Sequence, residues 1–249
     1  MRGITNSFLV ATQFLTRLPV APVEEFSTDR LAASTVFFPL VGLLVGAGGV
    51  LLHLILSPYA NGSVVVIVIL IYLVAVTGGL HEDALADAAD GFGGGWEREQ
   101  VLAIMRDSRI GSFGAIAIVL SLLGRFVFLT NLPAQRFSGY LLAGQVLSRW
   151  TTLPLAYFLP AARVGNGQGG PLAQKISVGS LLIGTILAAG IVGILLKQRT
   201  AWLLMVAFTA VVLTGAYYRR RIGGVTGDCF GATIQITELA IYFSGVMLG

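Results

Sequence analysis

The sequence predicts an all-α integral membrane protein of about seven transmembrane helices plus an N-terminal interfacial or re-entrant helix. Three observations lead there. Charged residues are only 11% of the 249 and hydrophobic residues 55%, with a mean hydropathy of +0.84. A soluble chain carries about 25% charge and could not hide this much apolar surface. Long apolar runs follow one another along the chain, and basic residues gather at alternate ends of them. An ordinary cytosolic enzyme, a disordered chain and a nucleic-acid binder are thereby excluded. The pI near 9.5 comes from a net charge of only +4, which a few basic residues at membrane edges supply.

The first element is a helix over 8–20, with Phe8, Ala11, Leu15 and Leu18 on one side and Asn6, Gln13 and Arg17 on another, closed by Pro19 and Pro22. It is too short to cross a bilayer. Apolar runs follow at 34–56, 64–79, 113–129, 140–159, 178–196, 201–217 and 232–248. Several lie near the minimum of about 17 residues that spans a membrane. The second and sixth are short enough that the count could be six or eight. The 32 glycines suit close helix packing within the membrane. The single cysteine, Cys229, excludes an internal disulfide and a multi-thiolate metal site. The chain reads as one polytopic membrane domain over 1–249, with segments 81–113 and 218–232 forming the site.

Basic residues orient the spans. With seven crossings, Arg2, Arg17, Arg30, Arg98, Arg106, Arg109, Arg163, Lys175 and Arg219 to Arg221 share the N-terminal side. The opposite side has Arg136, Lys197 and Arg199, while Arg125 and Arg149 fall inside runs. This asymmetry predicts a cytoplasmic N-terminus and an external C-terminus in a cytoplasmic (inner) membrane.

Acidic residues concentrate after the second run, at Glu82, Asp83, Asp87 and Asp90. On a continuous helix Asp83, Asp87 and Asp90 form one stripe about 10 Å long. Like charges so spaced repel, and a divalent cation is the natural compensation. Mg²⁺ in particular takes one or two carboxylates together with substrate phosphate oxygens. The neighbouring glycines and alanines suit tight packing better than a solvated acidic loop. A second cluster, Arg106-Asp107-Ser108-Arg109-Ile110-Gly111, offers guanidinium groups for phosphate around a carboxylate, although arginines alone could simply anchor the next span. The third cluster is 223–232, with Thr226, Asp228 and Cys229 behind three arginines. Glu238 follows roughly 15 Å deeper in the last run, where an acid faces a polar cavity or a partner. Arg149 is one partner for it, with structural pairing and substrate binding both open. His81 could act as a base or orient a neighbour; Cys229 reads as a packing residue. With the assigned topology all three clusters and Arg17 face the cytoplasm, the composition of a phosphoryl-transfer site.

The segments 78–91 (GGLHEDALADAADG), 104–114 (IMRDSRIGSFG), 14–20 (FLTRLPV) and 224–232 (GVTGDCFGA), with Thr237-Glu238, resemble the cobalamin synthase family, the adenosylcobinamide-GDP ribazoletransferases. The resemblance runs in order from about residue 8 to the C-terminus. Glu82 and Ala84 stand where the family more often has an apolar residue and glycine, and Arg106 replaces a frequent lysine. The resemblance implies a Mg²⁺-dependent, membrane-bound transferase of bacteria or archaea. It would join α-ribazole or its 5′-phosphate to adenosylcobinamide-GDP, releasing GMP. It implies metal at Asp83, Asp87, Asp90 and Asp107, with Asp228 a further candidate. Substrate would be held by Arg17, Arg106, Arg109, Arg149, Thr226, Asp228 and Glu238. Catalytic roles would fall to His81, Glu82, Asp83 and Asp107, with His81 or Glu82 as the base. Its partners are the corrinoid-GDP and α-ribazole substrates and membrane lipid, with room for a homo-oligomer or a complex with other cobalamin-assembly enzymes.

Two other readings compete. Asp87-Ala88-Ala89-Asp90-Gly91 echoes the opening of the CDP-alcohol phosphotransferases, but the later spaced aspartates of that family are missing. An ion-coupled transporter would use Glu238, Arg149 and the acidic stripe as a pathway, but it would spread them through the midplane.

Overall fold

The structure, a computed structural model, describes residues 2–21, 27–163 and 172–248; Pro22 lies outside them. Among these residues the chain forms twelve α-helices: α1 (Arg2–Leu15), α2 (Thr28–Ser34), α3 (Phe38–Leu56), α4 (Gly62–Thr77), α5 (Leu80–Gly94), α6 (Arg98–Ile104), α7 (Ser112–Thr130), α8 (Ala134–Trp150), α9 (Thr152–Phe158), α10 (Val178–Leu196), α11 (Thr200–Ile222) and α12 (Gly227–Met247). Their starts are chemically marked. Ser27, Asn61, Ser177 and Thr226 each accept a first-turn amide with a side-chain oxygen, opening α2, α4, α10 and α12.

Among the described residues four helical stretches are long and apolar enough to cross a membrane: Thr28–Leu56, Ser112–Thr130, Val178–Ile222 and Gly227–Met247. A fifth results if α4 and α5, bent by 84°, count as one broken span. The protein is thus an all-α, multi-pass membrane protein. The stretch Val178–Ile222 is 45 residues long and is interrupted at Lys197, whose φ is +41°. That break separates the two expected runs as α10 and α11. The run expected at 140–159 becomes α8 and α9, and it lies largely buried inside the bundle.

Exposure follows the same logic inverted. Ile116, Val119, Leu120, Leu123 and Val127 make an exposed apolar stripe on α7, and Leu182, Ile183, Ile186 and Ile194 another on α10. Such surfaces belong against lipid. The polar side chains turn inward: Arg125, Arg149 and Glu238 are each 1% exposed. Glycines let the central helices close. Cβ atoms at Gly42, Gly46 and Gly49 of α3 would meet Gln145 and Leu141 to Leu142 of α8 at 2.2, 3.1 and 3.1 Å. This is the close backbone approach the glycine content predicts.

Helix α1 buries Val10, Ala11, Thr12 and Leu15 against the bundle and stops at Leu15. Residues 16–21 are not helical: the Thr16 hydroxyl donates to Thr12 O, and the Arg17 amide donates to Val76 O at 2.7 Å. The N-terminal segment is thereby pinned to the end of α4.

Candidate active site

The bend between α4 and α5 creates the site. Gly78 and Gly79 both sit in the left-handed region, at φ +66° and +71°, where other residues are strained. Arg17 lies directly over Gly78: a Cβ there would come within 2.6 Å of its Nε.

After the bend, α5 runs antiparallel to α7 and α12 and packs against both. At its far end both oxygens of Asp90 accept amide protons from the start of α7, from Gly111 at 2.7 Å and Gly114 at 2.8 Å. A carboxylate at a helix N-terminus satisfies orphan amides and complements the helix dipole. At the near end Glu82 is level with Arg125, thirteen residues into α7, and with Gln235 of α12. Its Oε1 accepts from Arg125 at 2.8 Å and from Gln235 at 3.0 Å. The alanines of α5 make this packing feasible. Gly231 has no room for a Cβ because Ala84 already fills the place, at 2.3 Å.

Glu82 belongs to a buried ion network. Glu238 Oε1 accepts from Arg149 at 3.0 Å, and its Oε2 is 3.7 Å from Arg125. Two glutamates and two arginines from α5, α7, α8 and α12 therefore balance in the interior. Pairing of this kind is what allows charges to remain buried. His81 is buried beside it, and its Nε2 has no hydrogen-bond partner among the described residues.

The other carboxylates face the opposite way. Asp83 is exposed and Asp87 half-buried. Asp83, Asp228 and Asp90 all act electrostatically on Asp87. Asp228 sits in the first turn of α12, where the Thr226 hydroxyl donates to its Oδ2 at 3.1 Å. Across from them is Arg163, whose charge acts on both Asp228 and Asp87.

Arg163 follows a strap that is firmly held. Ala161 and Val225 form a parallel bridge, in which the Ala162 amide donates to Val225 O and the Val225 amide to Pro160 O, both at 2.9 Å. A Cβ on Gly224 would come within 2.2 Å of Pro160 O, so only glycine fits beneath the strap. Arg98 ties it further, donating to Ile222 O and Ala162 O at 2.9 and 2.8 Å. Arg221 donates to Gly95 O at 2.7 Å and closes the C-terminus of α5.

The loop before α7 is more open. Arg109 Nε donates to both oxygens of Asp107, at 3.0 and 3.1 Å, and the Arg109 amide adds a third bond at 3.1 Å. These hydrogen bonds to Arg109 hold the Asp107 carboxyl down at about 2. Arg106 is exposed, and its charge acts on Arg163.

Among the described residues no three His, Cys, Asp or Glu side chains converge as a ready-made metal cage. The donor set nonetheless suits Mg²⁺, which uses hard oxygens and commonly takes only one or two carboxylates, leaving its other positions to water and phosphate. Among the described residues Asp83, Asp87 and Asp228 are carboxylates with no arginine or backbone amide bound to them.

The family model for cobalamin-5-phosphate synthase matches residues 7–246. The chain belongs to the cobalamin-5-phosphate synthase family. It is 38% identical over 250 residues to the adenosylcobinamide-GDP ribazoletransferase of Shewanella pealeana, covering 98% of this chain and 96% of the relative. To the protein of the same description from Polaromonas sp. it is 39% identical over 269 residues, covering 95% of each. No solved structure matches.

As a member of this family the chain presents its three polar clusters at one end of the bundle. Asp90 bonds to Gly111 and Gly114, and Arg163 reaches both Leu102 and the field of Asp228. Asp83, Asp87, Thr226 and Asp228 lie toward this end, and Arg17 lies at the opposite end of α5, over Gly78. Glu82, Arg149 and Glu238 lie in the ion network, and Asp107 with Arg109 forms a separate pair on the loop. Sequence reasoning placed Arg125 only as a residue inside a span, Arg98 and Arg163 only as membrane-edge charges, and Arg221 only as one of the three arginines before the third cluster. The signal for Arg125 was present: a second intramembrane arginine needs an acid, and Glu82 was available. The strap that presents Arg163 rests on backbone bonds, which leave no residue pattern to read.

Proposed function

We propose that the protein joins α-ribazole, or its 5′-phosphate, through a free ribose hydroxyl to adenosylcobinamide-GDP with release of GMP, the late step that assembles the nucleotide loop of cobalamin. The observation that carries this reading is the meeting of Asp83, Asp87 and Asp228 with Arg163 at one end of a chain that matches the family over almost its full length. A full-length family match also leaves the CDP-alcohol phosphotransferase and transporter readings without support.

In this reading the cation belongs first to Asp83 and Asp87, with Asp228 completing the carboxylate face. Asp90 and Asp107, engaged by backbone amides and by Arg109, hold the surrounding loops. Bound there, Mg²⁺ would neutralise charge on the diphosphate and on departing GMP. The protein's own groups position the reactants. A free ribose hydroxyl of the acceptor attacks the phosphorus nearer cobinamide, in line with the bond to GMP, and that P–O bond breaks. The hydroxyl proton leaves to water at the carboxylate face, because His81 is buried on the side of the ion network, away from Asp83. Glu82 is already bound by Arg125 and Gln235, and with Arg149 and Glu238 it sets the position of α5. Arg17, lying over the glycine bend, and Arg106 bind phosphate oxygens.

We read the chain as one polytopic domain of seven crossings, α3, α4, α7, α8 with α9, α10, α11 and α12, with the site facing the cytoplasm. Support comes from the ends of the bundle. Arg98, Arg163 and Arg221 are bound around the site, whereas Arg136 donates to Leu248 O and Arg199 to Tyr140 at the other end. The test is corrinoid product and GMP formation by the purified protein, with and without Mg²⁺. Stoichiometric formation of both products supports the reading; substrate left intact under every condition overturns it.

A further inference from the structure

Among the described residues Arg163 is a firmly held cation outside the ion pairs. The chain leading to it is fastened by the two backbone bonds between Pro160–Ala162 and Val225, and by Arg98 on Ala162 O. Its own Nη2 donates to Leu102 O at 2.6 Å, which fixes the plane of the guanidinium. Its Nε is buried and has no hydrogen-bond partner among the described residues. None of the ion pairs among those residues includes Arg163.

Its surroundings carry both signs. Asp228 and Asp87 attract the guanidinium, and Arg106, from the loop before α7, repels it. Arg106 and Arg163, from distant parts of the chain, feel each other's charge beside carboxylates suited to a cation, an arrangement that an anion between them would stabilise. A phosphate group would meet these requirements: its oxygens would pair with both guanidinium groups, beside carboxylates that would hold a cation. Because the strap and the Leu102 bond have already ordered the side chain, little rotamer freedom remains to be lost on binding.

We propose that Arg163 is a substrate-binding residue that, with Arg106, grips a phosphate of the nucleoside-diphosphate donor. The proposal rests on the transferase reading above. It gives the segment 160–163 a direct part in donor recognition, alongside the two acidic segments.

The test uses the purified full chain in detergent, with GDP as the probe in the presence of Mg²⁺, and the variants Arg163→Gln and Arg163→Lys. Wild-type product formation is measured first and separately; its failure would count against the transferase reading and not against this site. With wild-type active, Arg163→Gln is expected to weaken GDP binding at least tenfold and raise KM for the corrinoid-GDP donor, while KM for α-ribazole stays within twofold. Arg163→Lys keeps the charge but loses the planar fork, so its affinity should fall between the two. Melting temperatures of both variants report whether the Leu102 contact is only a structural brace. Unchanged GDP affinity in Arg163→Gln, or a loss in melting temperature with donor KM unmoved, would overturn the proposal.

Discussion

Glu82 and Asp83 are neighbours on α5 that face opposite surroundings. Glu82 turns inward and is held 2.8 Å from Arg125, whereas Asp83 is exposed at the site. One helix therefore divides its carboxylates between two tasks. The inward acid anchors the helix in the bundle, and the outward ones form the face offered to cation and phosphate. Each task predicts a different response to loss of charge.

The inward acid should matter for folding. Glu82→Gln leaves Arg125 short of its nearest anionic partner inside the bundle, and breaking such a buried pair costs about 3–5 kcal/mol. Thermal unfolding in detergent should show a large fall in melting temperature, with much less protein recovered from the membrane. A melting temperature equal to wild type would mean that Glu238 alone neutralises Arg125.

Asp90 should behave in an intermediate way. Asp90→Asn has a single acceptor oxygen for two amides, so one N–H at the start of α7 loses its partner, at about 1–3 kcal/mol. Its melting temperature should drop while that of Asp83→Asn, an exposed position, stays near wild type. Comparing the two melting curves checks this directly. Equal stability in both would remove Asp90 from its place at the helix terminus.

The strap predicts a sharp contrast among glycines. Gly224→Ala forces a Cβ to within 2.2 Å of Pro160 O and must displace the segment that presents Arg163. Turnover should fall by an order of magnitude or more, about 1.4 kcal/mol in the barrier. Gly190→Ala and Gly193→Ala meet nothing within 4 Å and should retain turnover and gain slightly in helix propensity. Rate measurements on the three variants decide it, and an active Gly224→Ala would show that the strap is dispensable.

The orientation can be read with single cysteines, because the native Cys229 is buried. Ser108, in the loop before α7, and Gln135, in the first turn of α8, are exposed beyond opposite ends of α7. An impermeant maleimide added to intact cells should label Gln135→Cys and spare Ser108→Cys until the membrane is opened. The reverse pattern would place the site on the outer side.

Much of this architecture was legible in the sequence because bilayer burial imposes simple rules. Apolar runs marked α3, α7, α10, α11 and α12, and the i, i+4, i+7 spacing of Asp83, Asp87 and Asp90 marked an acidic helix. The 84° bend was less legible, since Gly78-Gly79 could as well have ended a helix at the surface. Its consequence is that α5 turns back along α7, carrying Glu82 to the level of Arg125. The spacing also placed Asp90 with the metal ligands, although its oxygens are taken by amides of a helix 21 and 24 residues away. Residue type shows that a carboxylate is present but not which donor reaches it first. Arg163 was invisible for a related reason: its position depends on backbone bonds between 160–162 and 225, which any residues with free amides could make.

The most direct test of the central claim is the rate of corrinoid product formation against Mg²⁺ concentration, for wild type, Asp83→Asn and Asp87→Asn. Both variants keep side-chain size and remove the charge that would hold the cation. The account predicts that each loses at least about 100-fold in turnover, about 2.7 kcal/mol, and needs more Mg²⁺ to reach its reduced maximum, while inserting in the membrane like wild type. Near-normal turnover in both variants, with the Mg²⁺ curve unmoved, would contradict it.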